Sequence, residues 1–225
     1  SSVKSIGNLA FYGCSALVDV TIPTSVKSIE RYTFGLCTAL KKVTIPSSVE
    51  SIETNAFEGC SALVDVKIPT SVKSIGGGAF YGCSALVEVT IPTSVNSIEG
   101  HTFDRCSALK EVIIPNSVKS ICIKAFADCS ALEDVKIPTS VDKIGNYAFS
   151  NCIALKKVKI PTSVKEIGVG AFLECSVLAE VTIPLASVKS IGETAFTSCH
   201  ADLVLDLGAV DDINTPNSFL EINGL

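Results

Sequence analysis

The stretch Ala10–Ile29, AFYGCSALVDVTIPTSVKSI, recurs with small changes along the whole chain of 225 residues. Eight cysteines at matching places follow one another at intervals of 23 residues: Cys14, Cys37, Cys60, Cys83, Cys106, Cys129, Cys152 and Cys175. Cys199 follows after 24 residues, because the linker IPLASV carries one residue more than IPTSV. A fixed period of this length is typical of a solenoid, in which each repeat packs on its neighbours.

The repeat unit reads LxxVxIPxSVxxIxxxAFxxCxA, and it predicts two short strands. In the first full copy Val20 and Ile22 alternate with Asp19 and Thr21, which indicates a strand with its apolar side facing inward. Pro23 has no N–H group and ends that strand. The SVxxI segment predicts a second extended piece. The AFxxC segment is too short for a regular α-helix, so we expect one helical or 3-10 turn there.

We interpret residues 1–225 as a single repeat-solenoid domain. Residues 1–199 form nine repeats, of which the first is partial because it lacks the LxxVxIP strand. Residues 200–225 are predicted to form a degenerate C-terminal capping repeat, with Leu205 and Leu207 at the strand positions. The first repeat is predicted to be exposed, and we expect either more chain or a partner to cover it.

The composition is that of a folded protein, with 47% hydrophobic and 18% charged residues. The formal net charge of -5 provides no basic field for nucleic acid, so we expect no nucleic-acid partner. No apolar run reaches the ~18 residues that a membrane-spanning helix needs. The sequence shows neither an initiator methionine nor a signal peptide, and we expect a processed or partial product.

Nine of the ten cysteines occupy one position of the repeat, next to the phenylalanine. There a thiol packs as a small hydrophobe, so we predict a column of buried thiols. Neighbouring rungs would also place the Cα atoms ~5 Å apart, which leaves disulfides as an alternative. Cys122 lies where other repeats have Gly or Glu. It is either the thiol most open to modification or a substitution without functional consequence.

No cofactor and no catalytic residue is predicted. His101 and His200 are far apart in the sequence, and neither has a nucleophile held beside it by the repeat. A weak candidate metal site is an outward-facing acidic column on consecutive strands: Asp65, Glu88, Glu111 and Asp134. Like charges at ~4.8 Å repel one another. The column is therefore either a solvated face partly neutralised by lysines or a patch for a divalent cation or a cationic partner.

Variation between copies is greatest at two corners, after SVxxI and between Phe and Cys. All four tyrosines and both arginines lie there, and they are the predicted partner-contact residues: Tyr12, Arg31, Tyr32, Tyr81, Arg105 and Tyr147. Tyrosine and arginine are enriched in protein interfaces. The alternative is that solenoid corners simply tolerate substitution.

The string LxxVxIPxSVxxIxxxAFxxC resembles the BspA-like leucine-rich repeats over residues 1–199. The resemblance implies a leucine-rich-repeat β-solenoid with a parallel β-sheet on one face and short helical or 3-10 turns opposite. It implies no shared catalytic residues. It also implies a non-enzymatic protein-binding or adhesion module, extracellular or at the cell surface. The alternative is a structural scaffold subunit that docks into a larger assembly through its uncapped N-terminal rung.

Overall fold

The computed structural model of the chain describes residues 3–200 and 204–206, which coil into a stack of rungs, one for each repeat. Within these residues, sixteen short strands, numbered in chain order, lie in two columns. The strands of the LxxVxI segment are β1 (Asp19–Thr21), β3 (Lys42–Thr44), β5 (Asp65–Val66), β7 (Glu88–Thr90), β9 (Glu111–Ile113), β12 (Lys157–Lys159), β14 (Glu180–Thr182) and β16 (Val204–Asp206). Those of the SVxxI segment are β2 (Ser28–Ile29), β4 (Ser51–Ile52), β6 (Ser74–Ile75), β8 (Ser97–Ile98), β10 (Ser120–Ile121), β11 (Lys143–Ile144), β13 (Glu166–Ile167) and β15 (Ser190–Ile191).

All the strand pairs are parallel and join equivalent residues of consecutive rungs, as Val20 with Val43. The first column forms the sheets β1-β3-β5-β7-β9 and β12-β14-β16, and the second forms β2-β4-β6 and β8-β10-β11-β13-β15. The first column is interrupted in the rung of Asp134–Lys136, where the described chain forms no strand. Leu205 pairs with Val181 at the predicted strand position. The rest of the predicted capping repeat, residues 201–203 and 207–225, lies outside the described residues.

The predicted alternation of the first strand is confirmed in the body of the solenoid. Val43 is buried between the exposed residues Lys42 and Thr44, and the same pattern recurs in the strands that follow. Val20 is only half-buried, because its strand pairs with a rung on one side alone. We call the face that carries the outward residues of the LxxVxI strands the sheet side.

The predicted helical or 3-10 turn at AFxxC is wrong. The segment is a series of β-turns, each closed by a bond such as that from the Glu58 N–H to the Asn55 carbonyl, 3.1 Å. Asn55, with φ 57°, and Gly59, with φ 68°, adopt left-handed backbone. The same two positions have positive φ in every rung described. A left-handed residue between successive turns prevents them from continuing into a helix.

This turn side of the solenoid is hydrogen-bonded from rung to rung. The Phe57 N–H donates to the Ala79 carbonyl at 2.8 Å, and the Gly59 N–H donates to the Tyr81 carbonyl at 2.7 Å. Equivalent bonds recur along the stack, always from an N–H group to a carbonyl of the following rung. The left-handed residues thus direct alternate N–H groups along the solenoid axis. The turn side is therefore a second hydrogen-bonded wall and not a set of loops.

A stack of phenylalanines fills the core beneath this wall. From Phe11 to Phe196, neighbouring rings have centroids 5.3–5.5 Å apart and interplanar angles of 9° or less. The rings from Phe34 to Phe172 are completely buried. Full burial of one such side chain contributes ~2–3 kcal/mol. The constant position of phenylalanine in the repeat follows from this stack.

The constant Cys and Ser of the repeat form hydrogen bonds between rungs. The Cys60 thiol donates to the Phe34 carbonyl at 3.1 Å, and matching bonds run from Cys37 to Cys199. The serine of PxSV does the same in six rungs on the other wall, as from the Ser48 hydroxyl to the Val26 carbonyl at 2.7 Å, whereas the buried Ser163 hydroxyl has no partner among the described residues. Each side chain is small enough to fit the stack and carries one donor. These bonds give a physical reason for both residues at these positions.

We predict that Ser117→Ala lowers the free energy of unfolding by ~1 kcal/mol, because it removes a half-buried bond to the Val95 carbonyl at 2.6 Å. The matched control is Ser107→Ala, whose hydroxyl is exposed and lies 3.4 Å from the Ser84 carbonyl. We expect the control to change stability by less than ~0.5 kcal/mol. Urea unfolding of both variants measures the difference. Equal effects would contradict a structural role for the PxSV serine.

Candidate protein-binding surfaces

The six residues predicted to contact a partner all lie on the turn side, and the structure separates them. Tyr12 and Tyr32 meet edge to face, with centroids 6.0 Å apart. The Arg105 guanidinium lies over the Tyr81 ring, 5.4 Å from its centroid. The Lys124 ammonium lies over the Tyr147 ring, 6.0 Å from its centroid. Arg31 is exposed and makes no ring contact within the described chain.

The Tyr81–Arg105 pair borders an open groove, which we call the edge groove. Its volume is about 810 Å³, and its lining includes Gly82, Arg105, Asp128, Asn151 and Ile153. Arg105 Nε lies 4.0 Å from the carboxylate of Asp128, and Ile153 is 48% exposed. The groove therefore combines a cation, an anion, an amide and an apolar side chain. Asp128 and Ile153 were not predicted as site residues, because their proximity to Arg105 arises only from the stacking of rungs.

His101 has a partner that the sequence analysis missed. Its Nδ1 lies 2.8 Å from a carboxylate oxygen of Asp104, whose side chain is 5% exposed. Burial raises the pKa of the Asp104 carboxyl, and the His101 hydrogen bond opposes that shift only in part. The other Asp104 oxygen, Oδ1, is buried without a hydrogen-bond partner in the described structure. The sequence feature that could have indicated this pair is Asp104 itself, an acidic residue at a repeat position where the neighbouring rungs have Tyr81 and Ala127.

The acidic column has the predicted arrangement on the sheet side. Asp65 lies beside Glu88, and Glu88 lies beside Glu111, on adjacent strands. All three are exposed, as is Asp134 in the interrupted rung. Among the described residues, no three Asp, Glu, His or Cys side chains are grouped as a metal site would require.

A second groove lies on the sheet side next to the interrupted rung. Its volume is about 860 Å³, and three lysines, Lys136, Lys157 and Lys159, contribute to its lining. Asp134 and Glu180 also contribute, so the charges are of both signs. Lys157 pairs in strand register with Glu180.

The thiols are buried in the interior of the stack. All ten cysteines are free, and those from Cys37 to Cys175 at the repeat position are buried. Burial raises the pKa of Cys60 and of Cys175 to about 12. Cys14 is exposed and Cys122 is half-buried, with its sulfur 3.6 Å from the Ser97 hydroxyl.

The first rung exposes part of the core. Phe11 is 36% exposed, whereas its equivalents from Phe34 to Phe172 are fully buried. The carbonyls of Asn8, Ala10 and Tyr12 accept no axial hydrogen bond within the described residues, although their equivalents in later rungs do.

The stacked strands and turns define a repeat solenoid of the leucine-rich-repeat class. The family model of the BspA type leucine rich repeat region matches the chain in six copies, over residues 1–110 and 96–215. The chain therefore belongs to the BspA-type leucine-rich-repeat family. A comparison with curated proteins gave no match. The described residues include no helix with the length and hydropathy needed to cross a bilayer.

Solved bacterial structures share the fold. A leucine-rich repeat protein from Bacteroides ovatus is 36% identical, with a TM-score of 0.85 over 90% of this chain and 52% of its own. The T. pallidum leucine rich repeat protein is 34% identical, with a TM-score of 0.66 over 68% of this chain and 72% of its own. A leucine rich cell surface protein from Faecalibacterium prausnitzii is 34% identical, with a TM-score of 0.68 over 90% of this chain and 64% of its own. The chain thus spans about half the length of the Bacteroides ovatus protein.

We predict that an alkylating agent at ~pH 8 modifies Cys14 and Cys122 in the native protein and leaves the interior thiols unmodified. A pKa of about 12 keeps Cys60 protonated at that pH, and its burial excludes the reagent. Mass spectrometry after a short pulse measures the modified sites. The same reaction in denaturant is the control and modifies all ten cysteines. Rapid native modification of Cys83, or disulfides between neighbouring rungs, would contradict the buried-thiol column.

Proposed function

We propose that this chain is a non-enzymatic protein-binding module and that its partner binds the turn side at the edge groove. The observation that carries the proposal is the Arg105 guanidinium stacked on Tyr81 at 5.4 Å beside an exposed Ile153. Arginine and tyrosine are the residue types that dominate binding energy in many interfaces. The repeat fold supports the proposal, because leucine-rich-repeat proteins generally act as interaction scaffolds.

The rigidity of the turn side favours binding. Arg105 and Asp128 occupy left-handed positions whose N–H groups donate to carbonyls of the next rung at 2.8 Å. A partner would meet side chains that project from a fixed backbone, so little conformational entropy is lost on binding. The six predicted contact residues keep this role in the proposal, with the Tyr81–Arg105 pair at its centre and the Tyr12–Tyr32 pair at its N-terminal limit.

We further propose that the module acts in adhesion, outside the cell or at the cell surface. The Faecalibacterium prausnitzii relative is described as a leucine rich cell surface protein. The family resemblance supports the same location.

A photoreactive residue tests the binding surface directly. Replacing Tyr81 with p-benzoylphenylalanine should capture a protein partner from the chain's native surroundings. The same replacement at exposed Lys27, next to the second strand column, is the control and should capture none. Binding of the captured protein should then weaken ~10-fold or more in Arg105→Ala. Equal capture at both positions, or unchanged affinity of Arg105→Ala, would refute the edge groove as the binding surface.

The first rung supports a second candidate, a scaffold subunit that docks end-on. Its free carbonyls at Asn8, Ala10 and Tyr12 are the acceptors to which a preceding rung would donate. The turn-side bonds all have one polarity, so only the N–H-bearing end of another solenoid matches this face. The occupant in this proposal is therefore a solenoid of the same type, joined head to tail.

Light scattering tests this second candidate. We expect a concentration-dependent mass above 23.5 kDa, or a stable complex with another solenoid, that Phe11→Asp abolishes. Val64→Asp, on the sheet side at 48% exposure, is the matched control and should leave the mass unchanged. Circular dichroism checks that both variants fold. A mass of a single chain at all concentrations, with no solenoid partner recovered, would rule out end-on docking.

A further inference from the structure

A second, smaller pocket opens on the turn side, on the other side of Tyr81 from the edge groove. Its volume is about 400 Å³, and the residues that matter for its chemistry are Asn55, Glu58, Gly77, Gly78, Tyr81 and His101. This is large enough for the end of one long side chain or for a small molecule. We call it the glycine pocket.

Two glycines of one rung, Gly77 and Gly78, line the pocket where a neighbouring rung has side chains. Gly78 occupies the position held by Asn55 in the rung before and by His101 in the rung after. A Cβ atom added at Gly78 would overlap the Asn55 amide, and one added at Gly77 would lie 3.0 Å from the Gly100 carbonyl. The two glycines thus let the Asn55 amide and the Gly100 carbonyl approach the backbone that forms the pocket floor.

Asp104 contacts one ring nitrogen of His101, a residue that lines this pocket. The Asp104 carboxylate accepts a hydrogen bond at His101 Nδ1, 2.8 Å away, so that nitrogen carries the proton in the neutral imidazole. Nε2 is then left with a lone pair. Asp104 is 4% exposed, with one oxygen unpartnered among the described residues. The fold does not need a charge here, since Ala127 is buried at the same place in the next rung.

The groups that line the glycine pocket include an imidazole, a carboxylate, the Asn55 amide and an aromatic ring. His101 Nε2 and the Glu58 carboxylate are acceptors, and Glu58 has no ion-pair partner in the described part of the chain. The Tyr81 ring attracts cations through its faces, and the Arg105 guanidinium already lies over one of them. A site of this kind matches a ligand that carries several donors and a positive charge.

We infer that the glycine pocket binds a primary ammonium group, supplied by a lysine side chain of a protein partner. The inference rests on the proposed function only for the carrier of that lysine. The affinity of the pocket for an ammonium group is measurable without any partner.

The pocket also makes binding dependent on pH. When His101 takes up a proton, Nε2 changes from an acceptor to a donor and the ring becomes a cation that repels the ammonium group. The charged groups that act on Asp104, the partner of His101, are Lys124 and Asp128 of the following rung. Glu58 lines the pocket together with His101, and Arg105 follows Asp104 in the chain. Protonation of the His101–Asp104 pair adds positive charge beside the pocket, so we expect the affinity for an ammonium group to fall on acidification.

The first experiment uses a probe that carries only the group in question. Nα-acetyl-lysine methylamide is titrated into the whole chain labelled with ¹⁵N-histidine, and the imidazole nitrogens of His101 are followed by NMR. The matched probe is the same compound acetylated at Nε, which has no charge. We expect saturable shifts with the first probe alone, and an affinity ~5-fold or more weaker at ~pH 5.5 than at ~pH 7.5. Equal binding of both probes, or unchanged affinity on acidification, would overturn the inference.

Variants locate the binding site. Glu58→Gln removes the carboxylate, and Gly78→Asn fills the floor with a residue that the preceding rung already holds at positive φ in Asn55. Both should abolish the shifts, whereas Glu174→Gln, elsewhere on the turn side, should not. Asp104→Ala should leave the melting temperature unchanged or higher, mix the two tautomers of His101 in the ¹⁵N spectrum, and weaken binding. Full binding by Glu58→Gln and Gly78→Asn would refute the pocket.

The outcomes separate this inference from the proposed function. If the probe binds but position 81 captures no protein, the ammonium site is supported and the proposed protein partner is refuted. If position 81 captures a protein and the probe does not bind, the edge groove stands and the glycine pocket is refuted.

Discussion

Backbone hydrogen bonds that run along the axis on the turn side are the constraint on which the other features of this solenoid depend. A 23-residue rung has too few apolar side chains to fold alone, and its backbone groups must find partners in adjacent rungs. The short strands provide hydrogen-bond partners for the backbone groups of only part of each rung. In the segment between the strands, the alternation of β-turns and left-handed residues gives backbone N–H groups, such as those of Phe57 and Gly59, a hydrogen-bond acceptor in the next rung. It also places the phenylalanine ring over that of the next rung.

The left-handed positions connect this constraint with function. A non-glycine residue at positive φ is strained by ~1–2 kcal/mol, which rigid surroundings must offset. Tyr32, His101, Arg105 and Tyr147 all sit at such positions. Their N–H groups are fixed in the axial bonds while their side chains vary from rung to rung. Strain and variation therefore coincide on the turn side, where the candidate binding residues lie.

The sequence was sufficient for the parts of the fold that have a clear period. Alternation in the LxxVxI segment predicts the buried and exposed residues around Val43, and the 23-residue spacing predicts the parallel register. The AFxxC segment was misread because so short a segment carries no periodicity that separates a helical turn from β-turns. Positive φ at residues such as Tyr32 cannot be read from residue type, since it is imposed by the neighbouring rungs.

The candidate sites were predictable only in part. Residue types at the variable corners indicated Tyr81 and Arg105 separately, but their stacking, and the glycine pocket beside them, arise from residues one or more repeats apart. His101 and Asp104 are three residues apart, yet their contact depends on the turn between them. Membership of the BspA-type family establishes the fold, whereas function depends on these outward residues.

Residue-resolved hydrogen exchange of the turn side tests the central claim most directly. The account predicts that the axial N–H groups of Asn55, Phe57 and Gly59 exchange as slowly as those of strands β4 and β6, with protection greatest in the middle rungs. Exchange of these groups at the rate of open loops, while the strands stay protected, would contradict it. The turn side would then be a flexible surface and not the wall that orders the stack.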